Sequence, residues 1–209
     1  MQIARTSGST NAALEFYTSA NREAHISAAR MRGHRGVGCA PGDKEVYFWA
    51  APLEVNTQGR IKALRDWLRN DAFANALLLS EKNVPHHIQK WGRWGVNCLF
   101  GYVSSFTTMI RLARSLDIDL GVLKERGLRV ICTTSELLGE NRATIQEAFG
   151  VPVCDTYGIR ETGLIGHGCE HRTMHTNDEQ LILETIDPQT GEPTAGEGEL
   201  VATMLLSHC

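Results

Sequence analysis

The six cysteines of this chain, at positions 39, 98, 132, 154, 169 and 209, include no Cys-x-x-Cys pair. Such thin spacing does not form the disulfide framework of a small secreted domain, and it suits a reducing compartment. No apolar run approaches the roughly 18–20 residues needed to cross a bilayer. The N-terminal Met1-Gln2-Ile3-Ala4-Arg5 lacks the apolar centre of a secretory signal. Basic excess is missing as well. A formal net charge of -3 gives no electrostatic footprint for nonspecific nucleic-acid binding. No internal repeat or low-complexity tract is present. These absences predict a soluble, cytoplasmic protein with no membrane span and no nucleic-acid partner.

What is present is ordinary globular material. The 209 residues are 42% hydrophobic and 22% charged, enough for a substantial core in one to two structural units. Periodicity predicts a helix over 19–35, with Ala24, Ile26, Ala28, Ala29 and Met31 on or near its inner face. A strand follows at Glu45–Ala51, then a helix at Arg60–Arg69 and an apolar run at Ala74–Leu79. Further along come a helix at Val84–Trp94, a strand at Val96–Tyr102 and a helix at Ser104–Leu116. The series continues with a strand at Leu128–Cys132, a helix at Asn141–Phe149 and a strand at Val151–Cys154. Strands alternating with helices predict an α/β fold with layered, mostly parallel sheets flanked by helices. After Glu161 the pattern turns β-rich. Gln180–Ile186 and Gly198–Leu206 are joined by the turn signals of Asp187-Pro188-Gln189-Thr190-Gly191-Glu192-Pro193, which predicts the start of a small β-rich subdomain. The expected division is 1–163 and 164–209. Only five residues precede Thr6, and the chain stops three residues after Leu206, so the sequence reads as an internal fragment of a larger protein.

Three segments carry chemistry. Thr6-Ser7-Gly8-Ser9-Thr10 is a hydroxyl- and glycine-rich loop whose amides and hydroxyls could ring an anion. It lacks the lysine of the GxxxxGK[ST] loop, and Asn11 follows instead. Ile131-Cys132-Thr133-Thr134-Ser135-Glu136-Leu137-Leu138 leaves a strand for a loop. Val151-Pro152-Val153-Cys154-Asp155 does the same and delivers Asp155, Thr156 and Tyr157 to the same edge. Carboxyl ends of parallel strands are where α/β sheets take ligands. A second reading stands beside this one: Ser135-Glu136 caps the next helix and Tyr157 fills a gap in the core. Beyond a tight Tyr157-Gly158 turn, Glu161 offers one carboxylate suited to a magnesium ion bridging phosphates.

TSGST, TTSELL, FGVPVCDTYGIRETG, GCEHRTMH, IDPQTGEP and GEGELV, in this order, resemble the adenylate-forming superfamily. More narrowly, the chain is similar to the group of phenylacetate–CoA ligase and capsular-polysaccharide adenylyltransferase. The resemblance runs from residue 5 to residue 206. It implies an ATP-dependent ligase that converts a carboxylic acid, aryl acids being permitted but not required, to acyl-AMP and passes the acyl group to coenzyme A. It implies that Thr6, Ser7, Gly8, Ser9 and Thr10 hold the β- and γ-phosphates of ATP. Thr134, Ser135 and Glu136 would lie at the adenine and acyl side. Asp155, Thr156, Tyr157 and Gly158 would line the adenine and α-phosphate, and Glu161 would bind Mg2+. Tyr102, Ser104 and Ser105 fall where the family builds its acyl-substrate pocket.

The family's loop usually has glycine where Asn11 stands, and Arg160 occupies a place commonly held by serine or threonine. The family's catalytic lysine and hinge aspartate lie on later segments, so this stretch alone is expected to be inactive in ligation. Two alternatives stay open: a non-catalytic nucleotide-binding module, and adenylation with transfer to a protein or an amine. Separately, Cys169 and His175, spaced Cys-x5-His, form a zinc-type ligand pair, with His167 and His171 nearby. The remaining cysteines read as small buried apolar residues.

Overall fold

In the computed structural model, residues 2–5, 14–49 and 59–205 are described. The expected phosphate loop, Thr6–Thr10, lies outside them. So does the Ala50–Ala51 end of the expected strand.

Seven strands form the main sheet, in the order β4-β3-β5-β6-β7-β8-β9. The first five are β3 (Glu45–Trp49), β4 (Asp71–Asn75), β5 (Cys98–Tyr102), β6 (Val130–Thr134) and β7 (Val153–Ile159). All of their pairings are parallel. Strands β8 (Gly163–Gly168) and β9 (Met174–Thr176) add to the edge antiparallel. Two separate hairpins stand outside this sheet. One pairs β1 (Gln2–Arg5) with β2 (Glu15–Thr18), and the other pairs β10 (Leu181–Ile186) with β11 (Glu199–Met204).

The sheet is covered on both faces, which is why its middle strands β5 and β6 are buried along nearly their whole length. Every residue of β6 is buried. Side chains alternate across the pleat. Val46, Phe48, Leu99, Ile131 and Val153 belong to one core, which also holds Trp91, Phe106, Met109, Ile145 and Phe149. These last five come from α3 (Val84–Trp94), α4 (Val103–Ser115) and α6 (Asn141–Phe149); α2 (Gly59–Arg69) precedes them in the chain, and the short α5 (Val122–Glu125) lies between α4 and α6. Phe48 meets both Trp91 and Phe106 edge-on at 5.5 Å. The opposite face collects Cys39, Cys98, Phe100, Val130, Cys132 and Cys154. There the His34 ring of α1 (Ala20–Gly36) packs against Phe100 at 5.2 Å.

Four expectations need correction. The inner face of α1 is not the alanine-rich one: Ala24 and Ala28 are exposed, whereas Arg22 and His34 are buried. The helix docks through polar side chains near its two ends, each with partners of its own. The strand expected at Val151–Cys154 starts at Val153 and continues to Ile159. Tyr157-Gly158 is therefore strand, not turn, with a register shift between the two residues. The reversal comes later, at 160–162. Finally, β8 and β9, which the sequence reading did not resolve as strands, extend the same sheet past residue 163.

Candidate functional site

The chain leaves β3 for β4 on one side and returns to place β5 on the other. Such a reversal of strand order opens a crevice outside the carboxyl ends of the strands, where open α/β sheets bind ligands. Trp49 ends β3 and Tyr102 ends β5, and their rings lie 4.5 Å apart at this point. Both are half-buried. Burial pushes the Tyr102 phenol up, the Glu136 carboxylate adds to the effect, and Arg160 opposes it. The three side chains thus share one electrostatic neighbourhood.

Beyond β6 the backbone turns sharply, with Ser135 at φ 65°. This turn sends Glu136 towards the start of α4. Its carboxylate accepts from the Ser104 amide at 2.6 Å and from Ser104 Oγ at 2.7 Å. Glu136 therefore caps the helix that precedes it in sequence, α4, rather than the following one, α6. A carboxylate is favoured there because the first helical amides lack intrahelical partners and the helix dipole is positive. Ser104 is exposed, while Ser105, the other serine expected in the acyl pocket, is buried.

From β7, Asp155 and Thr156 lace the sheet together. Thr133 Oγ1 donates to Asp155 Oδ1 at 2.9 Å, and Thr156 Oγ1 donates to the Thr133 carbonyl at 2.7 Å. Tyr157 is 48% exposed, so it does not fill a gap in the core. Gly158 lies where β7 and β8 nearly touch: a Cβ there would sit 2.5 Å from the Gly163 carbonyl oxygen. The residue must be glycine for the bulge to close.

Glu161 is half-buried in the reversal between β7 and β8, and no described residue bonds its carboxylate. Its backbone is held instead. Arg22, 5% exposed in α1, donates through one terminal nitrogen to the carbonyls of Arg160 and Glu161, each at 2.6 Å. Ser19 caps the same helix by accepting from the Arg22 amide at 3.1 Å. Sequence reasoning missed Arg22 and Trp49. A lone arginine in a polar helix carries no pattern, whereas Trp49 could have been found as the last residue of an aromatic strand.

Cys169 and His175 line one cleft, and His175 is the main influence drawing the Cys169 thiol down. His167 lines the same cleft, yet its Nδ1 faces the Gly168 carbonyl at 2.7 Å and Cys154 Sγ at 3.6 Å. His171 is exposed beside Glu170. Among the described residues no third ligand joins the pair.

No family model matches the sequence, and no curated protein matches it. Its fold, however, is found in solved structures. An open conformation of 2-hydroxyisobutyryl-CoA ligase in complex with 2-HIB-AMP and CoA superposes with a TM-score of 0.76 at 18% identity. That match covers 98% of this chain and 48% of the other. The same ligase in the thioesterification state gives 0.73 at 20% identity, covering 98% and 44%. ATP-bound MatB from Rhodopseudomonas palustris gives 0.69 at 16%, covering 97% and 39%. The chain spans about half, or less, of the length of these structures. It has the fold of that part of them: a mostly parallel seven-stranded sheet flanked by helices.

Proposed function

We propose that this chain is the nucleotide- and acyl-binding portion of an adenylate-forming ligase of the phenylacetate–CoA ligase-like group. The reaction joins a carboxylic acid to AMP with loss of pyrophosphate, then moves the acyl group to coenzyme A. One observation carries the proposal. The carboxyl ends of β5, β6 and β7 bring Tyr102, Glu136 and Tyr157 to one edge of a sheet whose fold is shared with CoA ligases.

In this reading Thr6, Ser7, Gly8, Ser9 and Thr10 hold the β- and γ-phosphates. Ser135, Glu136, Asp155, Thr156, Tyr157 and Gly158 receive the AMP moiety, with the exposed Tyr157 ring offered to the base. Tyr102, Ser104 and Ser105 border the acyl group. Glu161 suits Mg2+, because its carboxylate has no described partner while its backbone is fixed by Arg22. Magnesium would supply charge neutralisation on the phosphates. The protein's own contribution is positioning of the two reactants and exclusion of water, with little covalent chemistry. We assign residues 1–163 to this unit and 164–209 to a β-rich subdomain, place the protein in the cytoplasm, and retain Cys169 and His175 as half of a zinc site.

Pyrophosphate release by the full-length protein, with ATP, Mg2+ and a panel of carboxylic acids, tests the reading. Acid-dependent release followed by a CoA thioester supports it. Release without a thioester points to a protein or amine acceptor. An ATP-induced rise in melting temperature without release identifies a binding module, the reading that Asn11 and Arg160 favour.

A further inference from the structure

We propose that the second face of the sheet holds a zinc ion, bound by His34, Cys98 and Cys132 with Cys154 as the fourth ligand, at a site separate from the Cys169–His175 pair and from the nucleotide edge.

Geometry brings the ligands together. Cys98 lies on β5, Cys132 on β6 and Cys154 on β7, three adjacent parallel strands, and Cys132 pairs in register with Cys154. All three side chains point to the face covered by α1, whose last turn carries His34. One ring nitrogen of His34 and the Cys98 and Cys132 sulfurs all lie within 4.8 Å of one another. Cys154 flanks the trio on the same face; its thiol donates to the Gly168 carbonyl at 2.8 Å, a bond it must exchange for the ion to complete the site. Two or three thiolates with one imidazole make the donor set that selects zinc in closed, four-coordinate sites.

A second, independent observation comes from the histidine. His34 is 2% exposed. Its Nδ1 bonds Glu45 Oε1 at 2.9 Å, which leaves the Nε2 lone pair for another partner. No described residue hydrogen-bonds Nε2, although the atom is fully buried. An unpaired buried polar atom in a native fold calls for an explanation, and a bound ion is one. A carboxylate on the far nitrogen is the usual companion of a metal-bound imidazole, since it fixes the tautomer and raises the basicity of the ligating nitrogen. Glu45 is fixed in turn by Arg30 at 2.7 Å. Reading these cysteines as small apolar side chains accounts for their burial. It does not account for the open Nε2 or for the Glu45 carboxylate behind it.

The ion also has a way in. A cleft of about 210 Å³ is lined by Arg30, His34, Cys39, Asp43, Glu45 and Asp71. Binding would release the thiol protons of Cys98, Cys132 and Cys154 to solvent, since thiolate is the ligand form. The role is structural: the ion would tie α1 to three strands, and the first turn of α1 carries the Arg22 that holds the 160–161 backbone.

The untagged full chain, purified without added metal, should contain about one equivalent of zinc, or two if Cys169 and His175 also bind. Replacement with cobalt should give the intense visible bands of tetrahedral, thiolate-bound cobalt. The cobalt spectrum should survive Cys169→Ser but be lost in Cys132→Ala and weakened in His34→Gln. Because Cys132→Ala acts in the core, the wild type provides a second readout. Chelation should lower its melting temperature and expose additional reactive thiols. A chain that takes up neither zinc nor cobalt overturns the proposal. So does a cobalt spectrum abolished by Cys169→Ser and unchanged in a folded Cys132→Ala.

Discussion

Arg22 and Glu161 are joined across 139 residues by a single bond, from the guanidinium of α1 to the Glu161 carbonyl at 2.6 Å. The same nitrogen also serves Arg160. One buried cation thus fixes the reversal that presents Glu161, and the Phe16 ring lies 5.7 Å from that cation. Removing it leaves two carbonyls without their donor. Hydrogen bonds to charged groups contribute about 1.5–3 kcal/mol each. Arg22→Ala should therefore lose about 2–4 kcal/mol in urea denaturation, with Arg22→Lys recovering part of the loss. Equal stability of Arg22→Ala and wild type would show that the clamp is incidental.

The Glu136–Ser104 contact offers a cleaner measurement, because both residues are exposed and the helix core is untouched. Loss of an N-terminal cap typically costs about 0.5–2 kcal/mol. Ser104→Ala and Glu136→Gln should each fall in that range, and the double variant should be less destabilised than their sum. Strict additivity would mean that the two side chains do not act as a pair.

The parts of this fold that were legible in the sequence are those governed by local periodicity. Val84–Trp94 was predicted with its observed bounds because Pro85 starts it, Gly95 follows it and the apolar spacing between them is regular. The parallel strands β5 and β6 stood out as short apolar runs. Docking through polar contacts was not legible. Nothing in the α1 sequence distinguishes Arg22 and His34 from the exposed arginines beside them, since their partners, the Glu161 carbonyl and the Glu45 carboxylate, lie on other elements. Nor did the Tyr-Gly dipeptide reveal that it continues a strand, because its partner β8 lies beyond the reversal. That Tyr102, Glu136 and Tyr157 fall at or just past the carboxyl ends of neighbouring strands was foreseeable from parallel topology alone. The bond from Glu136 to the preceding helix was not, because it follows from the left-handed turn at Ser135.

Gly158 allows a test of the bulge. An added methyl would meet the Gly163 carbonyl at 2.5 Å, and that atom is backbone. The strands must separate to admit it, and forced overpacking costs about 1–3 kcal/mol. Gly158→Ala should be destabilised by that much. A variant as stable as wild type, with an unchanged spectrum, would mean that the two strands can part without penalty.

Asp71 faces Glu45 across the β3–β4 register. Burial chiefly, and the Glu45 charge next, push its carboxyl up to about 6. The unfolded value is about 3.9, so between these limits the folded state holds the proton more tightly. Stability from this group is thus fully present below about 4 and is lost as pH rises through about 6. Asp71→Asn should melt higher than wild type at pH 7.5, and the gap should close near pH 4. A gap that stays constant across that range would contradict the assignment.

The proposed function is most exposed at Glu161. Its backbone is fixed by Arg22, so Glu161→Gln changes the charge of the side chain while leaving the clamp and the fold in place. If this carboxylate serves the metal on the phosphates, its neutralisation removes several kcal/mol of stabilisation where charge develops. At about 1.4 kcal/mol per tenfold, Mg2+-dependent pyrophosphate release by the full-length protein should fall by a factor on the order of hundreds or more. The melting temperature should stay within a degree or two of wild type, since the carboxylate bonds no described residue. Excess Mg2+ should recover part of the rate if affinity for the ion is what was lost. Wild-type release from the folded variant would remove Glu161 from the site, while the Tyr102–Glu136–Tyr157 edge would remain to be tested by itself.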